Sequence, residues 1–258
     1  MRVPLVIGNW KMTTTHVEAK DLAQQIVERL GSLHGVEVVL APPFTSLAAV
    51  APVLRGRGIG LGAQDVHWED RGAFTGAISH RMLEALECTY VLVGHSERRK
   101  HFGESDHLVN RKIQAALRGG LKPVLCVGEE EQERAGGQLR AVIRRQVSQG
   151  LEGIDSGAAD RLTIAYEPVW AIGTGKSAKP EDAAEAHDVI RRQLERIFGP
   201  DRSRTVRILY GGSVTGENTA GLAARAEVDG VLVGGASLDA QSFAAIVHGG
   251  WETRPITG

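Results

Sequence analysis

The sequence predicts an α/β protein folded as a single (β/α)8 barrel. Short, nearly continuous apolar runs rich in β-branched residues alternate with longer amphipathic stretches, and eight such runs occur in 258 residues. Continuous apolar runs are typical of parallel strands buried on both faces. Eight strands separated by helices in a chain of about 250 residues match the size of one such barrel. An open doubly wound sheet, which usually has fewer strands, is the alternative. No Ser/Pro-rich linker divides the chain, so one domain is expected over 1–258.

The elements follow in order along the chain. Strands are predicted at the apolar runs 3–8, 36–41, 59–64, 89–94, 122–127, 162–166, 205–210 and 229–234. Helices are predicted at the amphipathic stretches 17–30, 45–54, 106–118, 138–149, 181–198 and 217–223. Thr15 and Glu18 have the spacing of a capping box, and Pro180 suits a first helical position before two acidic residues. Gly31 and Gly199 are typical of helix ends.

Composition excludes several classes of protein. The chain has 30 Lys+Arg and 31 Asp+Glu, a net charge of −1, which argues against an electrostatically driven nucleic-acid binder. No apolar run approaches the length of a membrane span, and the N-terminus lacks a signal-peptide pattern. Two cysteines cannot form a secreted disulfide framework, so a cytoplasmic location is expected. The most polar stretch, 129–137, is predicted to be a solvated loop and helix start.

Chemistry-bearing residues follow five of the predicted strands. In a (β/α)8 barrel the active site lies at the carboxyl ends of the strands. The residues found there are Asn9 and Lys11, His95, Ser96 and Glu97, Glu167, Gly211-Gly212-Ser213, and Gly234-Gly235. A carboxylate, an imidazole, a cation and two glycine pairs would converge on one mouth. Each residue could instead have no catalytic or binding function. Lys11 could be a solvated loop lysine, His95 a core or helix-capping histidine and Glu167 a residue that only ends its strand, and the glycine pairs could be simple turns.

Two of these features point to a reaction. Glu167 stands in an apolar frame running from Ile164 to Trp170, where low polarity would raise its pKa and suit a general base. Glycine pairs after the last two strands, together with Ser213, are better explained by backbone N–H groups around a phosphate than by turns alone.

Two apparent nucleotide motifs fail. Residues 173–177 look like the end of a P-loop, but Trp170 occupies the position that needs the first glycine. The same glycines match a loose dinucleotide fingerprint but do not directly follow a strand. Neither a His-Glu-x-x-His pattern nor paired Cys-x-x-Cys occurs, so the sequence supports neither a metal site nor a cofactor.

Seven segments of the chain resemble the triosephosphate isomerase family. They run in order from one end of the chain to the other: Gly8–Met12, Val93–Arg99, Phe102–Ser105, Leu125–Glu129, Ala165–Lys176, Tyr210–Val214 and Val231–Leu238. The resemblance implies a TIM barrel that interconverts dihydroxyacetone phosphate and D-glyceraldehyde 3-phosphate through an enediol(ate).

The resemblance also implies a role for each site residue. Glu167 would be the base that moves a proton between two carbons. His95 would be the electrophile, a neutral imidazole whose pKa is lowered by the start of a helix at 95–101. Lys11, oriented by Asn9, would place positive charge beside the phosphate and the developing enediolate, with Glu97 as a partner of this network.

The phosphate grip and a lid follow from the same resemblance. The implied phosphate-binding residues are Gly173, Ser213, Gly234 and Gly235. The implied lid comprises Pro168, Val169, Trp170, Ala171, Ile172, Gly173, Thr174, Gly175 and Lys176. Such a lid would keep water from an enediolate phosphate, which can otherwise eliminate phosphate.

A homodimer is implied as well. Residues 71–79 resemble the projecting loop that the family inserts into the partner subunit. The implied dimer contacts are Gln64, Phe74, Thr75 and Arg98. The sequence departs from the family at Ala77, where a glutamate usually pairs across the interface with the counterpart of Arg98. Arg98 therefore needs another partner, such as a nearby carboxylate.

Two alternative functions stay open. An isomerase of a four-carbon ketose phosphate would share the base and the phosphate grip. A catalytically silent binding homologue should have lost the base, the electrophile or the lysine, yet Lys11, His95 and Glu167 all remain. The main interpretation, a glycolytic and gluconeogenic isomerase, requires only a small triose phosphate and a second copy of the chain as partners.

Overall fold

The computed structural model describes residues 2–171 and 180–252, and its strands close into a parallel barrel in chain order. The strands are β1 Leu5–Asn9, β2 Glu37–Ala41, β3 Ile59–Ala63, β4 Tyr90–Val93, β5 Lys122–Val127, β6 Thr163–Tyr166, β7 Arg207–Tyr210 and β8 Gly230–Val233. All eight predicted strands are confirmed, with ends that agree to within two residues. The pairing of β8 with β1 excludes an open doubly wound sheet.

Helices cover the outside of the barrel. They are α1 His16–Leu30, α2 Leu47–Leu54, α3 His80–Glu84, α4 Ser96–Phe102, α5 Asp106–Arg118, α6 Glu131–Ala135, α7 Leu139–Gly150, α8 Pro180–Ser203, α9 Thr219–Ala223 and α10 Ala240–His248. The six predicted helices are confirmed. α3 and α10 lie outside the predicted stretches, although the N-cap of α10 is Asp239, whose side chain accepts the backbone N–H of Ser242.

The predicted helix ends are also present. Thr15 Oγ1 accepts the backbone N–H of Glu18 at 3.3 Å, and the Glu18 carboxylate accepts the backbone N–H of Thr15 at 2.8 Å. The N–H of Gly31, at φ 57°, caps the end of α1. Gly199, at φ 80°, breaks α8, which resumes as one further turn to Ser203. Left-handed φ favours glycine because it has no Cβ to clash.

The core has two layers. Inside the barrel lie Leu5, Ile7, Val39, Ala41, Tyr90, Leu92, Val124, Cys126, Ala165, Leu209 and Leu232. A larger apolar layer separates the strands from the helices. Both faces of each strand are therefore buried, which explains the continuous apolar runs.

Paired charges fill the amino-terminal end of the barrel. Arg207 Nη1 donates to Glu37 Oε2 at 2.6 Å, and the Tyr90 hydroxyl donates to Glu37 Oε1 at 2.8 Å. Lys122 Nζ lies 3.6 Å from Glu37 Oε1. These groups begin strands β2, β4, β5 and β7, so the opposite end of the barrel is where the loops can hold a ligand.

The structure also bears on thiol chemistry, metal binding and membrane insertion. Cys88 and Cys126 are both buried free thiols. Within residues 2–171 and 180–252, no group of three His, Cys, Asp or Glu side chains is arranged to hold a metal ion. Over the same part of the chain, no helix has the length and apolar character needed to cross a membrane.

Candidate active site

A cavity of about 1060 Å³ opens at the carboxyl end of the barrel. The strand-end residues predicted to converge there do line it: Asn9, Lys11, His95, Ser96, Glu97, Glu167, Gly211, Gly212, Ser213, Gly234 and Gly235. They lie at the carboxyl ends of β1, β4, β6, β7 and β8 or in the segments that follow these strands. Gly173, the remaining predicted phosphate ligand, lies outside the described residues.

Glu167 is the buried carboxylate of this cavity. It follows β6, and its backbone N–H donates to the carbonyl of Val127 on β5 at 2.8 Å. Its Oε2 accepts the backbone N–H of Ser96 at 2.9 Å, and its Oε1 lies 2.9 Å from His95 Nε2. The carboxylate is therefore held by two donors at the start of α4.

The hydrogen bonds of His95 fix its tautomer. The residue is the N-cap of α4, and its Nδ1 accepts the backbone N–H of Glu97 at 3.2 Å. Nδ1 is thus the unprotonated nitrogen, and Nε2 carries the proton that it donates to Glu167. With this placement of the proton, the imidazole presents its Nε2–H to the cavity.

The pKa values of this pair differ from the sequence-based expectation. Burial raises the pKa of Glu167, but His95, the Ser96 N–H and Lys11 outweigh it, so the carboxyl pKa lies below its ordinary value. The expectation of a raised pKa is wrong for the resting site. Burial likewise lowers the pKa of His95, but the adjacent Glu167 carboxylate raises it above its ordinary value. The lowered pKa expected for His95 is therefore also wrong while Glu167 faces it.

Lys11 is held in a left-handed backbone conformation, at φ 51°. The side chain of Asn9 accepts its backbone N–H at 3.0 Å, and Gln64 Nε2 donates to its carbonyl at 2.8 Å. Its Nζ donates to Glu97 Oε1 at 2.6 Å. A Cβ at Gly234 would come within 3.3 Å of Lys11 Cε, so the lysine side chain passes close to the β8 loop before its ammonium reaches Glu97.

The glycines of the β7 loop are required by close approach. A Cβ on Gly211 would lie 3.1 Å from Glu167 Cγ and 3.1 Å from the Tyr166 carbonyl oxygen. A Cβ on Gly212 would lie 2.1 Å from the Tyr210 hydroxyl. Ser213 follows, and its carbonyl accepts the side-chain amide of Asn218 at 3.0 Å.

The beginning of the implied lid rests on a buried carboxylate. Val169–Ala171 forms a short 3-10 turn, and Trp170 Nε1 donates to Glu129 Oε1 at 2.9 Å. The Tyr166 hydroxyl donates to the same oxygen at 3.1 Å. Burial raises the pKa of Glu129, partly offset by these donors and Arg134. The prediction of a solvated loop is wrong at Glu129, whereas α6 confirms the helix start.

The rest of the lid cannot be compared with the sequence expectation. Pro168 through Ala171 belong to the described residues. The other predicted lid residues, Ile172, Gly173, Thr174, Gly175 and Lys176, lie outside them.

The implied dimer residues have distinct environments. Phe74 and Thr75 are exposed on the projecting loop. Gln64 braces the Lys11 loop of its own chain and also donates to the Ala41 carbonyl at 2.9 Å. Arg98 donates to Asp65 at 2.8 Å and to Glu104 at 2.6 Å, which supplies the carboxylates that its sequence context required.

Two site residues carry no assigned role in the sequence interpretation. Ser96 acts through its backbone N–H, and because that group does not depend on the side chain, the residue type does not reveal this role. Glu129 lies two residues after the end of β5, so the strand-end rule applied to every strand would have indicated it. Gly211 belongs to a glycine pair that the sequence assigns to a phosphate site, and the structure adds that a Cβ there would lie 3.1 Å from Glu167 Cγ.

Comparison with known proteins decides the family. A family model described as triosephosphate isomerase matches residues 4–249. The chain belongs to the triosephosphate isomerase family. It is 51% identical over 249 residues to a triosephosphate isomerase from Carboxydothermus hydrogenoformans, covering 96% of this chain and 99% of that protein. A triosephosphate isomerase from Roseiflexus castenholzii is 50% identical over 248 residues, covering 96% and 98%.

A solved structure of the same family supports the architecture. The crystal structure of triosephosphate isomerase from Bartonella henselae superposes with a TM-score of 0.87 at 38% identity. The match covers 96% of this chain and 98% of that chain. The TIM barrel predicted from the sequence is thereby confirmed.

Proposed function

We propose that the chain interconverts dihydroxyacetone phosphate and D-glyceraldehyde 3-phosphate, with Glu167 as the base and His95 as the electrophile. The observation that carries the proposal is the 2.9 Å contact between Glu167 and His95 Nε2 in the mouth of a triosephosphate isomerase barrel. A base and a hydrogen-bond donor on one cavity suit proton abstraction next to a carbonyl group. The reaction is an intramolecular aldose–ketose isomerisation.

The proton moves between two neighbouring carbons of the substrate. Glu167 removes a proton from the carbon next to the carbonyl, and the C–H electron pair forms the enediolate. His95 Nε2–H donates to the oxygen on which negative charge develops. Glu167 then returns the proton to the former carbonyl carbon, and the new carbonyl forms at the carbon that lost its proton, whose hydroxyl proton passes to the other oxygen. His95 can move protons between the two oxygens because its Nε2 faces the cavity.

The resting contacts of Glu167 must be exchanged for substrate contacts. In the free site His95 and Ser96 stabilise the carboxylate and lower its basicity. When a substrate carbonyl takes the Nε2 hydrogen bond, Glu167 loses that donor. Burial, the largest influence on its pKa, then favours the protonated form and strengthens the base. The same exchange removes the carboxylate that raises the pKa of His95 and leaves the imidazole neutral.

Lys11 and three loops bind the substrate phosphate in this proposal. The Lys11 side chain passes beside Gly234 and places its ammonium in the cavity, where it can face both the phosphate and the enediolate. Backbone N–H groups of Ser213, Gly234 and Gly235, together with Gly173, complete the phosphate site. Residues 168–176 form the lid that excludes water, and its first turn is tied to Glu129 through Trp170.

A homodimer in the cytoplasm, built from one domain over 1–258, completes the proposal. Large apolar side chains that are exposed in the described residues support the interface. Four of them flank the implied contact loops: Met12, Phe74, Met82 and Phe102, at 96%, 43%, 54% and 68% exposure. Sedimentation at micromolar concentration is expected to give twice the chain mass of 27.6 kDa. An active monomer would contradict the dimer.

Substrate length is the sharpest test of the reaction. Purified protein should turn over the three-carbon substrate with a far larger kcat/KM than a four-carbon ketose phosphate. The reaction runs both ways and would serve glycolysis and gluconeogenesis alike. A preference for the four-carbon substrate would move the assignment to that isomerase. Inactivity on both would favour a silent binding homologue.

A further inference from the structure

We propose that Arg99 is a positioning residue that holds the His95 segment in register with Glu167. The inference rests on the proposed function and adds a residue that has no role in the mechanism above. Arg99 lies on α4, four residues after His95, and its side chain turns away from the catalytic cavity. Among the described residues it lines a second cavity of about 450 Å³, which reaches Glu167 from behind.

The Arg99 guanidinium joins three elements at the carboxyl end of the barrel. Its Nε donates to the Gly94 carbonyl at 2.7 Å, directly before His95. Its Nη2 donates to the Cys126 carbonyl on β5 at 3.3 Å. Its Nη1 pairs with Asp106 at the start of α5 at 2.6 Å. The planar fork of arginine matches three acceptors in fixed directions, which a lysine ammonium cannot do.

The bond from Arg99 Nε to the Gly94 carbonyl fixes the backbone that leads into His95. Gly94 has φ 70°, and a Cβ there would lie 2.7 Å from Val109 Cγ2 and 3.0 Å from Arg99 Nη2. The chain therefore turns sharply in a tight space, with the Gly94 carbonyl held by Arg99. The peptide that bears this carbonyl is the one that enters His95. If it rotates, the imidazole moves with it.

The bond from Arg99 Nη2 to the Cys126 carbonyl lies close to Glu167. Cys126 pairs with Ala165 on β6, and the next carbonyl, that of Val127, accepts the backbone N–H of Glu167. Arg99 thus connects the peptide before the electrophile with β5, the strand whose next carbonyl holds the backbone of the base. The distance between His95 Nε2 and Glu167 is set partly through this bridge.

The role is geometric because the charge of Arg99 is already balanced. Asp106 pairs with Arg99 through Oδ1, and its side chain is only 9% exposed. Arg145 lies 3.3 Å from Asp106 Oδ2 and is half exposed. Arg145 shares this carboxylate but, within the part of the chain that the structure describes, bonds to neither Gly94 nor Cys126. It is therefore a matched control for any loss of charge around Asp106.

The test compares Arg99→Lys with Arg145→Lys, which make the same chemical change beside the same carboxylate. Arg99→Lys is expected to lower kcat about 10- to 100-fold, the scale of a misplacement near 1 Å. Its KM should stay within about threefold, because Lys11 and the phosphate loops are untouched. Arg145→Lys should keep kcat within about twofold.

Two further readouts separate positioning from folding. In Arg99→Ala, added guanidinium ion should restore part of kcat, which no general loss of stability would allow. The ¹⁵N resonances of the His95 imidazole should shift or broaden in Arg99→Lys but not in Arg145→Lys. Wild-type kcat in Arg99→Lys, or a KM that rises while kcat holds, would overturn the inference. If the wild type is inactive, the proposed function fails, and the His95 resonances still decide the role of Arg99.

Discussion

A buried four-charge network beside the active site gives a prediction whose size follows from its geometry. Lys112 Nζ donates to both carboxylate oxygens of Asp65, at 2.7 and 2.9 Å, and also to Glu104. Arg98 donates to the same two carboxylates. The side chains of Lys112, Glu104 and Asp65 are 5%, 4% and 12% exposed. Three of these four groups are thus largely removed from solvent, and Arg98, with 29% of its side chain exposed, balances the charge at the edge of the network.

Lys112→Met removes one cation and leaves two carboxylates facing Arg98 alone. Breaking a buried pair by removing one partner costs about 3–5 kcal/mol, because a charge remains uncompensated. For a chain of this size, each kcal/mol lowers Tm by about 2–4 °C, so the expected decrease is roughly 6–20 °C. Lys100→Met, at an exposed lysine, should change stability by less than about 0.5 kcal/mol.

A double variant tests whether charge balance is the cause. Burial raises the pKa of Asp65, Lys112 and Arg98 lower it, and Glu104 raises it, with a net increase. Ionised Asp65 is therefore costly without Lys112, and Asp65→Asn in the Lys112→Met background should recover part of the loss. The coupling energy is expected to be about 0.5–3 kcal/mol. Urea and thermal unfolding at fixed protein concentration measure it. A Lys112→Met loss below about 1 kcal/mol, or strictly additive single losses, would refute the reasoning.

Two other predictions concern the catalytic cavity. Lys11→Met should weaken inorganic phosphate binding by about 1.5–3 kcal/mol, roughly 10- to 150-fold in Kd, because it removes a charged donor. Lys100→Met, at a lysine that lines the same cavity, is the control in calorimetric titration, and equal losses in both variants would argue against a special role for Lys11. His95→Ala should raise the pKa of Glu167, because burial remains while the imidazole that lowers it is gone. The carboxylate would then protonate at higher pH than in the wild type, as read from its ¹³C shift, and an unchanged pKa would contradict the assigned cause.

The sequence predicts the structure best where a residue pattern has a single physical consequence. Continuous apolar runs located all eight strands, and the strand-end rule placed Glu167, His95 and Lys11 on one cavity before any contact was known. The sequence predicts pKa values less well, because a pKa is the sum of opposing contributions. The apolar frame of Glu167 does raise its pKa, but the sequence does not reveal that His95 and Ser96 point at the carboxylate.

Partners that come from distant parts of the chain were also beyond the sequence. Arg98 was expected to need a carboxylate, but the choice of Asp65 and Glu104 depends on how α4 packs against the β3 loop. Arg99 stands in a matching segment, and only the structure gives its bond to the Gly94 carbonyl. The polar residues that follow Glu129 predict a solvated segment, and they do not indicate that its carboxylate is buried against Trp170.

The central claim is that Glu167 moves the proton, and one rate comparison tests it most directly. Initial rates of D-glyceraldehyde 3-phosphate conversion would be measured for wild type, Glu167→Gln and Glu130→Gln. Glu130 is an exposed carboxylate that lines the same cavity and serves as the matched control. The wild type and Glu130→Gln should be active, and Glu167→Gln should lose at least about 10²–10⁴-fold in rate while still binding phosphate. A Glu167→Gln variant with the wild-type rate would contradict the account.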